Sequence, residues 1–356
     1  MTDVFSPRND APRKLCTGKA PLLLLCGVVL GLPQVALAGR AYVSNEDGAS
    51  VTVVDTDTAE VVATVDVGKR PRGMKLSPDG RNLYVAVSGL PKCPPSVPDE
   101  ECAKLKRDLT ADGIAVVDTT SLKLKRLLKS GSDPEQFDLS RDGKTLFVSN
   151  EDSATISVVN IASGATESSI AVGKEPEGVR VSPDGRWIVT TSESGNAIFV
   201  IDGQTHKVLR SIPVGKRPRD VAYSKDIKTV YITGEFDGSV FSAPLLGDSQ
   251  AGATRLLQLR PEARPMGIVL DAPHNRLFVS TGRGGTVAVI DLSGPKLVTE
   301  IPVGARPWGI ALSRDGKRLY TANGSSNDMT IIDTNTLQVV KKVTVGKSPW
   351  GVTLSQ

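Results

Sequence analysis

Seven prolines, Pro71, Pro134, Pro176, Pro218, Pro265, Pro307 and Pro349, stand in copies of one short phrase at intervals of 63, 42, 42, 47, 42 and 42 residues. A period in this range marks a repeated supersecondary unit, because each unit can bury its apolar faces only against its neighbours. After the prolines come a short apolar run, usually a turn such as Ser77-Pro78-Asp79-Gly80, and a second run such as Leu83-Tyr84-Val85. In the unit from Gly173 to Gly215 these are followed by Ala197 to Ile201 and Lys207 to Val214, with turns of Gly, Pro, Asp and Asn between. Four β-rich runs in each of seven units predict an all-β chain: a seven-bladed β-propeller with four antiparallel strands per blade. Alternation of apolar and polar residues is partial, as strands packed between neighbouring blades require. Outside the leader only Asp99 to Leu109 offers a helical stretch.

The phase of the repeat predicts how the ring closes. One period of 42 before Pro71 falls at position 29, inside an apolar leader. The first blade therefore lacks its own innermost strand, while Gly351 to Ser355 has no strands after it. Pairing of that run with Ala41 to Ser44 would close the ring and remove the open sheet edges. The 47-residue interval puts five extra residues near Gly247 to Thr254, in the fifth blade. The 63-residue interval puts an insert at about 90–112, after the second strand of blade two and on the face of the proline phrases.

Residues 1–38 read as a cleaved signal peptide, with Arg8, Arg13, Lys14 and Lys19, then the apolar Pro21 to Leu32, then Ala36-Leu37-Ala38. The propeller then spans 39–356, in the periplasm or outside the cell, and its two cysteines, Cys93 and Cys102, are expected to form a disulfide within the insert. Without the leader the chain carries 39 Lys and Arg against 37 Asp and Glu. That balance argues against a nucleic-acid partner, which calls for a basic domain. No other stretch is apolar enough to span a membrane.

Tyr42-Val43-Ser44-Asn45, Val53-Val54-Asp55-Thr56, Val67-Gly68 and Ser77-Pro78-Asp79-Gly80 resemble the repeat of the YVTN β-propeller family over roughly residues 40 to 356. Ser149-Asn150-Glu151-Asp152, Glu175-Pro176-Glu177-Gly178, Arg306-Pro307-Trp308-Gly309 and Asn323-Gly324 carry a closer likeness to YncE-like exported propellers and to propellers associated with pyrroloquinoline quinone (PQQ) dependent catabolism. The resemblance implies a bacterial periplasmic or surface propeller. The cysteine-bearing insert departs from the family pattern.

The residues flanking the prolines are expected to ring the mouth of the central channel. Blades three and four supply Asp133, Glu135, Glu175 and Glu177; blades two, five, six and seven supply Arg70, Arg72, Arg217, Arg219, Arg264 and Arg306; Trp308 and Trp350 lie nearest the closure. Two accounts compete for this ring. Arginines and carboxylates can neutralise one another, or arginine forks and indole faces can bind a planar anion such as PQQ or a carboxylated metabolite. The four carboxylates are also oxygen ligands of the kind Ca²⁺ takes, although no EF-hand loop is present.

Most enzyme classes lack their residues. The histidines, His206 and His274, fall on different blades, which leaves little for zinc or haem. No nucleophile elbow or phosphate-binding loop occurs, and Gly282-Arg283-Gly284-Gly285 reads as a hairpin loop; Asp55-Thr56-Asp57-Thr58 reads as a turn. The expectation is a monomeric binding module that takes a small anion or a partner protein at the mouth, with the loops at Glu46, Glu151, Glu193 and Glu235 on the same face. The alternatives are a lactonase-like hydrolase or redox accessory enzyme using that mouth, and polymer or nucleic-acid binding through the arginines.

Overall fold

The structure is a computed structural model that describes residues 39–92, 99–102, 104–246 and 251–355. The signal-peptide reading lies outside the described residues. So does the disulfide, since Cys93 and the side chain of Cys102 are not described.

The strands form seven four-stranded antiparallel sheets, one per blade. Six blades take their strands from consecutive sequence. The first combines Pro349–Leu354, as its innermost strand, with Arg40–Asn45, Ser50–Asp55 and Val61–Asp66. Tyr42 lies opposite Thr353 and Val43 opposite Val352, so the ring closes where the phase of the repeat requires. The remaining innermost strands are Met74–Leu76, Pro134–Leu139, Pro176–Val181, Pro218–Tyr223, Pro265–Asp271 and Pro307–Leu312.

Partial alternation in the sequence has a direct cause. The second strands are buried on both faces, as in Leu83 to Val87, because each blade packs between two others. Seven apolar clusters result, one between each neighbouring pair of blades. Tyr42, Val53, Met74 and Val85 join blades one and two, and Val43, Tyr320 and Met329 join seven to one. Outermost strands face solvent, with Val61 and Val62 exposed. The turns also follow from their sequence. Asp55 accepts the backbone N–H groups of Asp57 and Thr58, each at 2.9 Å, which makes this acidic run a turn. In the insert, Asp99–Cys102 is one short helix and Leu109–Ala111 a 3₁₀ turn, so the helical stretch is shorter than Asp99 to Leu109. In the fifth blade, the strands Ser239–Pro244 and Thr254–Gln258 flank the longer hairpin.

A hydroxyl fastens neighbouring blades around the channel. Ser44, Ser149, Thr191, Thr233 and Ser280, at equivalent places near the ends of second strands, each donate to the carbonyl of the residue after the next blade's proline. Each also accepts the N–H of the residue two after the proline in its own blade. The innermost strands come very close together. A Cβ on Gly267 would sit 2.9 Å from the Trp308 carbonyl, and one on Gly309 2.8 Å from that of Trp350. Glycine is required at such contacts because it has no Cβ.

Candidate functional site

The residue before each proline, Arg70, Asp133, Glu175, Arg217, Arg264, Arg306 or Ser348, has a left-handed backbone with φ between 44° and 57°. Non-glycine residues seldom adopt it. The repeated cause is a hydrogen bond. In six blades the carbonyl of that residue accepts the N–H of the first residue after the second strand: Glu46, Glu151, Glu193, Glu235, Gly282 and Gly324. This places the residue before the proline and the residue after the second strand side by side at the channel mouth. Four of the six are glutamates. In blades six and seven they are glycines.

Where the glutamates stand, the arginines are engaged. Arg72 is 2% exposed; its guanidinium lies 2.5 Å from Asp133, 3.5 Å from Glu135 and 3.7 Å from Glu151. Arg70 pairs with Glu46 at 3.0 Å and donates to the Leu90 carbonyl of the insert. Lys92 of the insert also pairs with Glu46, at 3.0 Å, so the insert does lie on the mouth face. On the other side of this acidic arc, Arg219 contacts Glu177, Glu193 and Glu235, and Arg217 reaches Glu193 at 2.7 Å. Glu175 accepts a hydrogen bond from Ser194.

Such crowding divides the acids by protonation. Glu135 beside it, together with burial, pushes the Glu151 carboxyl up to about 10. Burial pushes Glu177 well above the carboxylate range, with Glu135 and Glu193 adding to the effect. Burial also opposes ionisation of Asp133 and Glu193, but Arg72 and Arg219 respectively hold them low. Like charges that share a site cannot all ionise, so two acids in the arc hold protons at neutral pH.

Blades six and seven differ. Among the described residues no carboxylate pairs with Arg264, Arg283 or Arg306; the Glu235 carboxylate is held by Arg217 and Arg219. Arg264 lies 4.5 Å over the Phe236 ring, and Arg306 lies 5.0 Å over Trp308. All three arginines line a cavity of about 440 Å³ with Glu235, Met266 and Trp308. Arg306 and Trp308 also line a neighbouring cavity of about 620 Å³, walled by Arg70, Arg72, Glu135, Glu175, Arg217 and Arg219. Trp308 and Trp350 stack with centroids 5.8 Å apart and planes at 26°. Trp350 is buried, and Trp308 also carries Arg219 at 5.4 Å, so the indole faces are largely engaged within the protein.

Of the twelve mouth residues expected from the sequence, ten line one or other of these two cavities; Asp133 and Glu177 line neither and are paired with Arg72 and Arg219 respectively. Arg283 and Phe236 were missed. Arg283 sits in a glycine-rich hairpin, and only its spacing from the neighbouring proline phrase, Arg264-Pro265, could have signalled it. Among the described residues no group of three or more acids, histidines or cysteines is arranged to hold a metal ion, and no helix is long and apolar enough to cross a membrane.

Residues 267–356 match the family model of the YNCE-like β-propeller, and residues 9–168 match that of the lactonase, 7-bladed β-propeller. Antigen Lp49 of Leptospira interrogans is 32% identical over 111 residues, 31% of this chain and 23% of that protein, so the match spans less than a quarter of the relative. Among solved structures, Kuenenia stuttgartiensis hydrazine synthase is similar with TM-score 0.69 and 24% identity, covering 82% of this chain and 92% of that one. A putative 6-phosphogluconolactonase from Bacteroides fragilis gives 0.71 and 18%, covering 91% and 100%. The periplasmic gluconolactonase of Pseudomonas aeruginosa gives 0.68 and 20%, covering 89% and 99%. At these identities the structural likeness is one of fold.

Proposed function

We propose that the chain, whose residues 267–356 match the YNCE-like β-propeller model, is an exported binding module that takes a small anion at the channel mouth, on the side of blades six and seven. One observation carries this reading: Gly282 and Gly324 stand where four of the other blades have glutamates, and among the described residues no carboxylate pairs with Arg264, Arg283 or Arg306. Stacking on Phe236 and Trp308 uses the faces of Arg264 and Arg306 and leaves N–H edges free to donate, often in pairs, to a carboxylate or phosphate. The acidic arc is compensated by its own arginines and protons, so its arginines are engaged and do not compete for an external anion. A carboxylated metabolite suits this site; PQQ, in a role accessory to periplasmic catabolism, is one such anion. Thermal-shift and calorimetric titrations with citrate, phosphate and PQQ test the reading. An anion should raise the melting temperature of the wild type, and Arg306→Gln should weaken its binding about tenfold or more. No shift with any anion, or an unchanged affinity in Arg306→Gln, would refute it.

A second reading, lactone hydrolysis, is favoured by the proton-bearing Glu177 next to ionised Glu193, an acid and a base in contact. The same preparations can be assayed with gluconolactone. Turnover that is lost in Glu177→Gln would support hydrolysis over binding.

A further inference from the structure

Beneath the mouth lies a separate chamber of about 240 Å³ on the channel axis. Arg219, Trp308 and Trp350 line both spaces and form the floor between them. The chamber walls differ in character. Blades six, seven and one contribute Met266, Ile268, Ile310 and Val352 beside the two tryptophans; blades two to five contribute Lys75, Gln136, Arg180, Asp220 and the proton-bearing Glu177. The polar wall is only partly satisfied. Arg180 donates to Asp220 at 2.8 Å, to Gln136 at 3.1 Å and to the Val179 carbonyl at 3.2 Å. Lys75 has three ammonium donors and an ion pair to Asp138 at 3.4 Å.

Water fills such a space poorly. The volume suits on the order of eight waters at about 30 Å³ each, but those against the apolar wall lack the 2–4 polar partners that hold buried water. Replacing poorly bonded waters with an apolar group is favourable, and a carboxylate would accept from the Lys75 ammonium donors that Asp138 does not use.

We propose that this chamber is a second ligand site, for a small amphipathic carboxylate whose anionic end pairs with Lys75 and whose apolar body lies against Met266, Ile310 and the tryptophan pair. The site is independent of the anion site at the mouth.

Hexanoate and benzoate are the probes, and hexanol is the uncharged control, followed by calorimetry and by the fluorescence of Trp308 and Trp350. Hexanoate should bind the wild type at least tenfold more tightly than hexanol. Lys75→Met should lose that preference for the anion, while Arg306→Gln should bind hexanoate as the wild type does. Absence of binding by either carboxylate overturns the proposal, as does equal affinity for hexanol. Unchanged hexanoate binding in Lys75→Met also overturns it. Loss in Arg306→Gln, with Lys75→Met unaffected, would assign the carboxylate to the mouth instead. If Lys75→Met does not fold, the preference for hexanoate over hexanol measured on both the wild type and Arg306→Gln decides the matter, since binding at the mouth would be lost in Arg306→Gln.

Discussion

Ser280→Ala tests the hydroxyl that joins neighbouring blades. Ser280 is fully buried; its Oγ donates to the Trp308 carbonyl of blade seven at 2.6 Å and accepts the Gly267 N–H of its own blade at 2.9 Å. Alanine keeps the strand and its packing but removes both bonds. A buried donor and a buried acceptor then lose a partner, at about 1–3 kcal/mol each. The expected loss is about 2–6 kcal/mol, or a fall in melting temperature on the order of 3–9 °C for a domain of this size. Thr191 and Thr233 do the same task in blades four and five, so Ser280→Thr should stay close to the wild type. Blade two offers an alternative. Ala86 stands at the equivalent place, and the Gly73 N–H donates directly to the Glu135 carbonyl of blade three at 3.0 Å. Thermal melts followed by circular dichroism compare the three proteins. If Ser280→Ala melts within about 1 °C of wild type, against the shift that a lost bond implies, blades six and seven have closed to a direct bond and the hydroxyl is not the fastener.

Two further predictions concern closure and charge. Deleting residues 349–356 removes the innermost strand of blade one and with it the pairing of Val43 with Val352; the melting transition should broaden and fall far below that of the full chain, and an unchanged melt would refute closure by this strand. Glu151 is raised to about 10 in the folded protein, so between the ordinary carboxylate range and pH 10 the folded state holds a proton that the unfolded state has released. Stability from this group is therefore full in acid and falls as pH rises. Glu151→Gln should remove that fall, and its advantage in melting temperature over wild type should grow from pH 5 to pH 9; a constant difference would refute the assignment.

Much of this was legible because the repeat writes one instruction seven times. Prolines gave the blade count, and their phase gave the pairing of the chain's two ends, since a missing strand at one end and a surplus strand at the other leave one arrangement without open edges. The charge map was only half legible. Flanking residues such as Arg72 and Glu177 could be placed on the mouth by counting from their prolines, but whether an arginine is neutralised depends on a second position some sixteen residues on. That position became meaningful only through the hydrogen bond that ties it to the residue before the proline. In the sequence Glu46, Glu151, Glu193 and Glu235 are loop residues of the right face, Gly282 belongs to a glycine-rich hairpin loop, and Gly324 is part of a phrase shared with the family. Aligned on that bond, the two glycines carry most of the functional information: each lacks an acid that four of the other blades supply. The chamber was hidden for a related reason. Asp220 and Gln136 occupy a place that is glycine in the other five blades, and in the sequence an exception to a glycine position reads as a loosened repeat rather than as polar chemistry on the channel axis. In a propeller the seven-fold rule builds the fold, and departures from it at equivalent positions set the chemistry of the channel.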